Sequence, residues 1–371
     1  MKKVLLIGDS PIGDGPYVGS YIEILEKNNI PYDLLFWNRH LVKIDSLPSN
    51  YIPYNCYTDI RYPSWRRVLK IIGFTRFAKR QMIKTDYAFI VVFTIAYTVF
   101  LNKALLKYYG GRYIFDIRDY SPIYGMKVFH NVVNKLIENS SLTVVSSAGF
   151  LKWLPRGDRY RYQVAHNTNL RMIKDYYEKR GGVFPSTDDI ISILTIGQIR
   201  DFEANSILLD RLKNIRRFKM VFSGVGVSSD SLKEYTVKNN IENAFFTGRY
   251  NKSDEVRIVS SHHMVNVFLN RDLNSDTLMT NRFYLSVLLR KPMISNEGSF
   301  QSELIKKYGL GVTLNEGDSF VDVIDEWWRN FNRESYEKGC HAFIERVKID
   351  MESFENNIVR LYSKNDSIIL Q

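Results

Sequence analysis

A short stretch near residue 281 has the residue types of an anion-binding site. A polar loop that contains Asp276 leads into a short apolar helix, at whose start Asn281 and Arg282 stand. The first backbone N–H groups of a helix have no intrahelical partner, and the helix dipole favours negative charge there. The sequence therefore predicts that an anionic group binds at Asn281 and Arg282. The helix is expected to end at Lys291–Pro292, just before a strand that starts at Met293.

A second cation suited to an anion follows a predicted strand. The apolar run Ile191–Ile196 leads into Gly197-Gln-Ile-Arg200. Ligands of open α/β sheets bind beyond the carboxyl ends of the strands, and a planar guanidinium matches a diphosphate. We therefore expect Arg200 to bind the anion. The alternative is a solvated arginine near Asp201 and Glu203.

Two glycine-containing loops follow predicted strands, but neither has the G-x-G-x-x-G spacing of a dinucleotide site. The loop after the first strand contains Gly13, Asp14 and Gly15. Glycine lets the backbone approach a ligand closely, so this loop either contacts a phosphate or an acceptor, or is a plain tight turn. The second loop, which contains Gly224 and Gly226, is interpreted as a simple strand-to-helix connection.

Candidate acids end a strand in the first half of the chain. In Phe115-Asp-Ile-Arg-Asp-Tyr120, Asp116 and Asp119 could supply a base or orient a substrate hydroxyl. Arg118 could instead hold either carboxylate in a structural ion pair. The sequence has no Asp-x-Asp pair, P-loop, G-x-S-x-G motif or zinc spacing. No metal site is therefore predicted.

The strongest charge feature is the segment Arg66–Lys84, which has seven basic residues and no acid. Leu69, Phe74 and Met82 belong to an apolar stripe at helical spacing, although Gly73 weakens the prediction of a helix. A basic amphipathic helix can lie on an anionic membrane surface; the alternative is a helix that packs on its sheet with a solvated basic face. No RNA- or DNA-binding motif is present, so nucleic acid is not expected. The basic residues are Arg66, Arg67, Lys70, Arg76, Lys79, Arg80 and Lys84.

The elements that would position these groups form two α/β halves. A chain of 371 residues suits two domains, and strands alternate with helices in both halves, which indicates parallel, doubly wound sheets. Lys179–Asp189 has turn chemistry and is the predicted linker. We therefore predict a first domain over residues 1–180, a second over residues 190–345, and a helical segment over residues 346–371.

Net charge and cysteine content indicate the kind of partner and the cellular compartment to expect. A net charge of +11 favours an anionic partner. Cys56 and Cys340 lie far apart, which fits a reducing compartment. The first apolar run is four residues long and breaks at Gly8, so it is interpreted as a strand and not as a signal peptide. A cytoplasmic protein is expected, since no stretch approaches the roughly 18 apolar residues of a spanning helix.

These patches together resemble the GT-B glycosyltransferases, most of all family 4 of the retaining enzymes. The resemblance implies two Rossmann-like domains that face each other across a cleft, with the acceptor on the first domain and a nucleotide-sugar donor on the second. It also implies that the terminal helix crosses back to the first domain. The patches that carry it are Phe115–Tyr120, Ser146–Leu151 with His166-Asn167, Gly197–Arg200, Phe222–Gly226 with Phe245–Tyr250, Asn281–Tyr284 with Lys291–Ile294, and Met351–Glu355.

The resemblance also implies roles for single residues. Arg200 would meet the diphosphate, Arg249 would lie near the base, and Asn281 and Arg282 would meet the donor phosphate or sugar. Gly13, Asp14 and Gly15 would form the acceptor or phosphate loop, and Asp116 and Asp119 are the catalytic candidates. The donor-side residues implied in this way are Gly197, Arg200, Gly224, Arg249, Thr280, Asn281 and Arg282.

The activity that the resemblance implies is a retaining, metal-independent transfer of a sugar in cell-surface polysaccharide synthesis, such as capsule or lipopolysaccharide. The donor would be a UDP- or GDP-sugar, which is a substrate and not a cofactor. The acceptor would be a lipid-linked glycan or an oligosaccharide. The basic segment Arg66–Lys84 would be the membrane contact, placing the protein at the inner face of the plasma membrane.

The sequence departs from the family pattern on the donor side. The family usually has two glutamates eight positions apart; here Thr277 and Leu285 stand in those places, with Asp276 adjacent to the first. The lysine expected shortly after Arg200 is absent, and Glu203 occupies that region. Two alternatives therefore stay open. One is a non-catalytic glycosyltransferase-like subunit or sugar-nucleotide binding module. The other is a GT-B epimerase or phosphorylase, which would use the acids and histidine Asp116, Asp119 and His166.

Overall fold

The chain folds into two compact units. The computed structural model describes residues 1–9, 16–43, 46–59, 61–168, 173, 184 and 190–366. Unit 1 consists of Met1–Asn167 together with Ile349–Gln371, and unit 2 consists of Thr168–Lys348. The predicted linker Lys179–Asp189 lies outside the described residues, apart from Phe184.

Unit 1 is built on a seven-stranded parallel sheet of order β3-β2-β1-β4-β5-β6-β7. Its central strands are apolar runs buried on both faces, as expected of a parallel sheet covered by helices. The strands are β1 Val4–Asp9, β2 Tyr32–Asn38, β3 Tyr51–Asn55, β4 Ile90–Phe93, β5 Tyr113–Ile117, β6 Leu142–Val145 and β7 Tyr162–Val164.

Five α-helices and a 3₁₀ turn, Ala148–Lys152, connect the described strands of unit 1. Ser121 caps the short helix α4 because its side chain accepts from the backbone N–H of Ile123. Ser147 caps the 3₁₀ turn in the same way through Gly149 N–H. The helices are α1 Pro16–Lys27, α2 Ser64–Lys84, α3 Ile95–Tyr108, α4 Pro122–Gly125 and α5 Lys127–Glu138.

Unit 2 repeats the architecture with a six-stranded parallel sheet of order β10-β9-β8-β11-β12-β13. One face of β8 and β9 packs against the helices that follow them, and Phe222 stacks on Phe246 with ring centroids 4.7 Å apart. The strands are β8 Ile191–Ile196, β9 Phe218–Ser223, β10 Ala244–Gly248, β11 Met264–Asn266, β12 Met293–Asn296 and β13 Gly311–Leu314.

The helices of unit 2 end in one long helix that runs on into unit 1. Its residues up to Lys348 belong to unit 2, and those from Ile349 belong to unit 1. In unit 1, Phe354 packs edge-on against Tyr21 with ring centroids 5.0 Å apart. The helices are α6 Phe202–Arg211, α7 Ser229–Lys238, α8 Glu255–Ser260, α9 Asn281–Leu288, α10 Phe300–Tyr308, α11 Phe320–Arg329 and α12 Arg333–Asp366, with a 3₁₀ turn at Lys252–Asp254.

The predicted α/β class with doubly wound parallel sheets is confirmed. Strand β3 was not predicted; it contains Pro53 and lies at the sheet edge, where a missing backbone donor is tolerated. Helix α2 continues through Gly73, at which a Cβ atom would lie 2.6 Å from the hydroxyl of Tyr54. A larger residue at this position would require the Tyr54 side chain to shift. In the part of the chain that the structure describes, no helix is long and apolar enough to cross a membrane.

Candidate functional site

The sheet of unit 2 has a topological switch point between β8 and β11, where the order of the strands reverses. From β8 the chain proceeds through β9 and β10 on one side, and it then returns to β11, β12 and β13 on the other. The loops after β8 and β11 therefore diverge and leave a crevice, which is where open α/β sheets bind ligands. Arg200 and Asp201 follow β8, and Asn270 follows β11. These residues, together with the start of α9, form the candidate site.

Helix α9 begins at this crevice with a firmly held N-terminus. The side chain of Thr280 accepts from Phe283 N–H at 3.3 Å, and its own N–H and hydroxyl donate to Gln301 Oε1 at 3.1 and 2.7 Å. Gln301 is fully buried. The hydroxyl of Thr280, a predicted donor contact, therefore serves the helix cap. Asn281 is exposed at the first helical position.

Arg282 is the central cation of the site. Its guanidinium is partly buried, and NH1 donates to the carbonyl of Asn266 at 3.1 Å. Burial lowers the pKa of Arg282 from 12.5 to about 10; nearby Asp201 opposes this shift and Arg200 adds to it. Arg282 is thus charged at neutral pH in surroundings that solvate the charge poorly. An anionic ligand would relieve that cost.

Arg200 is the second cation, and it is more exposed. Its side chain is 44% exposed, and Nε lies 3.7 Å from Asp201 Oδ2. At this distance the two groups form an ion pair but not a good hydrogen bond. The N–H groups of the guanidinium can therefore donate to a ligand. The structure thus brings Arg200 and Arg282 close enough for their charges to interact. Both elements that carry them meet at the switch point.

Three glycines stand at the ends of adjacent strands. Gly197, Gly224 and Gly248 all have positive φ, at 94°, 136° and 75°. Gly197 N–H donates to Ser223 O at 2.9 Å, and Gly224 N–H donates to Gly248 O at 2.8 Å. A Cβ atom at Gly224 would lie 1.9 Å from Gly197 O, so this turn admits only glycine. Close packing of the two loops accounts for Gly224; its predicted donor contact stays a prediction.

Arg249 and Tyr250 follow β10 and line a cavity of about 760 Å³. Side chains of β9 and β10 line the cavity, including the buried Val221 and the exposed Phe245. Tyr250 donates to Glu255 Oε1 at 3.0 Å, and burial raises the pKa of its hydroxyl. Arg249 is exposed, as a residue that meets a ligand base would be, but its role stays a prediction.

The positions of the missing family glutamates have structural occupants. Leu285 is 6% exposed on the buried face of α9. Thr277 is 2% exposed, and its hydroxyl donates to Leu273 O at 2.6 Å. The neighbouring Asp276 forms an ion pair with Arg271, in which Nε and Oδ1 are 2.8 Å apart. Neither position therefore presents an unengaged carboxylate.

The candidate acids of unit 1 differ in their surroundings. Asp116 is completely buried, and it pairs with Arg118 in a two-pronged ion pair while Tyr21 donates to Oδ2 at 2.7 Å. Burial raises the pKa of Asp116, and Arg118 opposes the shift. These contacts fit the alternative of a structural ion pair better than a role as a base. Arg118 also donates to Asn167 Oδ1 at 3.0 Å. Asp119 is exposed after β5.

Two further predictions in unit 1 concern a loop and a helix. Gly13, Asp14 and Gly15 lie outside the described residues. Helix α2 forms as predicted and buries Phe74, Thr75, Ala78 and Met82 against the unit. Lys70 is partly buried, and its Nζ donates to Cys56 Sγ at 3.4 Å. The six basic residues of the helix that are exposed are Arg66, Arg67, Arg76, Lys79, Arg80 and Lys84.

Sequence reasoning missed two residues of the site, Asp201 and Asn270. Asp201 is 6% exposed beside Arg200 and was considered only as a neighbour of that residue. Its sequence signal is an acid between a strand end and a helix start, which usually marks a helix cap. Asn270 gave no signal, because its contact with α6 joins residues 66 positions apart.

Comparisons with known proteins support the fold. No protein-family model matches the chain, and no curated protein matches its sequence. Solved structures match over nearly the full length. Sucrose-phosphate synthase from Thermosynechococcus elongatus has 12% identity, a TM-score of 0.73, and coverage of 98% of this chain and 99% of its own. The lipopolysaccharide outer core galactosyltransferase WaaB has 15% identity, a TM-score of 0.61, and coverage of 96% and 99%. Anabaena HepE in complex with UDP has 15% identity, a TM-score of 0.61, and coverage of 98% and 100%. The chain therefore has the GT-B fold.

Proposed function

We propose that this protein is a glycosyltransferase that moves a sugar from a nucleotide-sugar donor to a glycan or a lipid-linked acceptor. The observation that carries the proposal is the pair of arginines at the switch point of unit 2, Arg200 and Arg282, with the N-terminus of α9 beside them. Two guanidinium groups and a helix N-terminus match the charge and the geometry of a diphosphate. Among the similar structures, HepE is described with bound UDP.

The chemistry follows from where charge develops. When the bond between sugar and diphosphate breaks, negative charge accumulates on the leaving phosphate oxygens. Arg282 would stabilise that charge without reorganising, because its hydrogen bond to Asn266 O sets its position before the donor binds. The more exposed Arg200 would add a second positive charge beside it. Retention of configuration and independence from metal ions are part of the proposal. The donor is proposed to be a UDP- or GDP-sugar.

The membrane part of the proposal rests on the surface of unit 1. Unit 1 contains 25 Lys and Arg against 16 Asp and Glu, whereas unit 2 contains 26 against 24. Helix α2 also exposes Trp65 by 66% and Leu69 by 58%. Exposed basic and apolar side chains on one helix suit an anionic lipid surface. We propose peripheral attachment to the cytoplasmic membrane face, with a lipid-linked acceptor in cell-surface polysaccharide synthesis.

Donor binding and turnover test the proposal separately. Isothermal titration of the purified chain with UDP, GDP, UDP-glucose and GDP-mannose should give a dissociation constant for at least one nucleotide. The protein should then release nucleoside diphosphate from that donor when the two are incubated together with a lipid extract. A chain that binds none of these nucleotides would refute the proposal.

A second candidate is a sugar-nucleotide binding module without turnover. The observation in its favour is that Leu285 and Thr277 replace the two family glutamates with side chains that serve packing and a local hydrogen bond. Binding of a nucleotide sugar without release of nucleoside diphosphate, across the donor panel and lipid extract, would favour this candidate.

A further inference from the structure

One carboxylate oxygen in the candidate site has no hydrogen-bond donor. Oδ2 of Asp201 is buried and accepts no hydrogen bond from any described residue; the nearest cation, Arg200 Nε, is 3.7 Å away. Oδ1 receives only a long contact of 3.4 Å from Asn270 N–H. Buried polar atoms without a partner are rare in folded proteins, and each calls for an explanation.

The usual explanation, a helix cap, does not apply. Asp201 is the N-cap residue of α6, where an aspartate normally accepts from the backbone N–H two or three residues on. Here the side chain makes no capping hydrogen bond. Asn270 Oδ1 accepts from Ala204 N–H at 2.9 Å instead. Because Asn270 has taken over the cap, the carboxylate of Asp201 is left for another partner.

The position of Asp201 restricts what that partner can be. Its charge acts on Arg282, and it pairs loosely with Arg200, so it stands among the cations that would hold a diphosphate. A carboxylate repels the phosphates themselves. It can, however, accept a hydrogen bond from a neutral hydroxyl attached to them. Nucleotide sugars carry such hydroxyls on both the ribose and the transferred sugar.

We propose that Oδ2 of Asp201 accepts a hydrogen bond from a hydroxyl of the bound nucleotide sugar, and so selects a sugar-bearing diphosphate over a bare one. The inference rests on the proposed function. It assigns a hydroxyl acceptor to a site in which Thr277 and Leu285 offer no carboxylate. The hydroxyl belongs either to the ribose or to the transferred sugar.

Titration of Asp201→Ala distinguishes this role from a purely electrostatic one. Loss of the acceptor should weaken nucleotide-sugar binding by about tenfold or more, the usual effect of losing a hydrogen bond to a charged group. Inorganic pyrophosphate has no such hydroxyl, and it should bind as tightly as to the wild type or more tightly, because a negative charge has been removed. Opposite changes for the two ligands are the expected result.

The ligand series identifies the hydroxyl. The nucleotide is uridine or guanosine diphosphate, whichever the wild type binds. If Asp201→Ala loses the same affinity for the nucleoside diphosphate and for the nucleotide sugar, the hydroxyl belongs to the ribose. If it loses affinity for the nucleotide sugar alone, the hydroxyl belongs to the transferred sugar. Asp230→Ala, which removes a 92% exposed acid of the same unit, is the matched control and should change neither affinity.

Two outcomes overturn the inference in distinguishable ways. If Asp201→Ala binds both the nucleotide sugar and pyrophosphate more tightly than the wild type does, Asp201 acts by charge alone. The inference then fails while the proposed function stands. If the wild type binds no nucleotide, the proposed function fails and the inference falls with it. Should Asp201→Ala not fold, Asp201→Asn replaces it: pyrophosphate should tighten while the nucleotide sugar does not, and joint tightening would again refute the role.

Discussion

The two arginines of the candidate site are not equivalent. Arg282 is partly buried, with its NH1 fixed on Asn266 O, whereas the Arg200 side chain is 44% exposed. A charge in a poorly solvated position interacts more strongly with a ligand than one screened by water. We therefore predict that Arg282→Gln weakens nucleoside diphosphate binding by about 100-fold and Arg200→Gln by about tenfold. Titration calorimetry measures both.

The order of these two effects is the sharper part of this prediction. Arg333→Gln serves as the matched control, because Arg333 is 58% exposed at the start of α12, where it pairs with Glu337 and lies over the ring of Phe184. It should leave the affinity unchanged. A larger loss for Arg200→Gln than for Arg282→Gln would show that burial does not set the strength of the diphosphate contact.

Lys291 should make the stability of the folded protein depend on pH. Its side chain is 1% exposed and donates to Ser260 O at 2.8 Å, and burial lowers its pKa from 10.5 to about 8. Between pH 8 and 10.5 the unfolded chain holds this proton and the folded chain releases it. Stability relative to Lys291→Met should therefore rise with pH across this window, by on the order of 2 kcal/mol.

Urea unfolding of wild type and Lys291→Met at pH 7.5 and pH 10 measures this difference. The exposed substitution Lys338→Met separates it from general effects of pH, since Lys338 makes only a surface pair with Glu334. A stability difference between wild type and Lys291→Met that is the same at both pH values would contradict the shifted pKa.

The alternation of strands and helices was predictable, because central parallel strands are buried on both faces and appear as short apolar runs. Strand β3 lacks that signal, because its residues are only partly buried and it contains Pro53, and it was not predicted. In the site, the placement of Arg200 and Arg282 follows from local order along the chain. The carboxylate of Asp201 does not cap α6, because Asn270 accepts the hydrogen bond from Ala204 N–H instead. Asn270 follows a different strand, so no local sequence pattern could predict this arrangement.

The glycine turns after β8 and β9 should be needed for the stability of unit 2. Gly224 has φ of 136°, and a Cβ atom would overlap Gly197 O at 1.9 Å. Gly224→Ala must therefore displace one of the two loops, and we expect a loss of about 3 kcal/mol or more in the free energy of unfolding. Chemical denaturation measures it. Gly317→Ala is the matched control, because a Cβ there would contact nothing within 4 Å.

This pair of variants also tests whether the loops support the site. Because Gly197 precedes Arg200 by three residues, a displaced loop should weaken nucleotide binding in Gly224→Ala even where the variant is still folded. Gly317→Ala should be within about 1 kcal/mol of the wild type and bind normally. Equal stability of the two variants would mean that the close approach at Gly224 relaxes without cost.

Net positive charge is concentrated in unit 1, which has 25 basic and 16 acidic residues, whereas unit 2 has 26 and 24. Net charge alone would allow any anionic partner. The exposed apolar residues Trp65 and Leu69 on helix α2 favour a lipid surface over a soluble polyanion, because only a bilayer would bury their side chains. The two contributions can be separated, since salt screens only the first.

Binding to anionic vesicles should therefore depend on the basic residues of helix α2. Each basic residue near an anionic bilayer contributes about 1 kcal/mol, so the combined change Arg76→Gln, Lys79→Gln and Arg80→Gln should weaken binding to phosphatidylglycerol vesicles by about 100-fold at low salt. Trp65→Ala should instead weaken the part of the binding that survives high salt. The matched control, a neutralisation of three exposed basic residues in unit 2, should have little effect; these are Lys213, Arg216 and Lys238.

Co-sedimentation across a salt series measures these affinities. If attachment uses α2, the dependence on salt should become shallower in the α2 variant and stay unchanged in the unit 2 control, because fewer counterions are released when fewer charges meet the bilayer. Equal losses in both variants would show that the protein responds to total charge and not to this helix. In that case helix α2 would no longer support a lipid-linked acceptor, and a soluble oligosaccharide would replace it as the proposed acceptor.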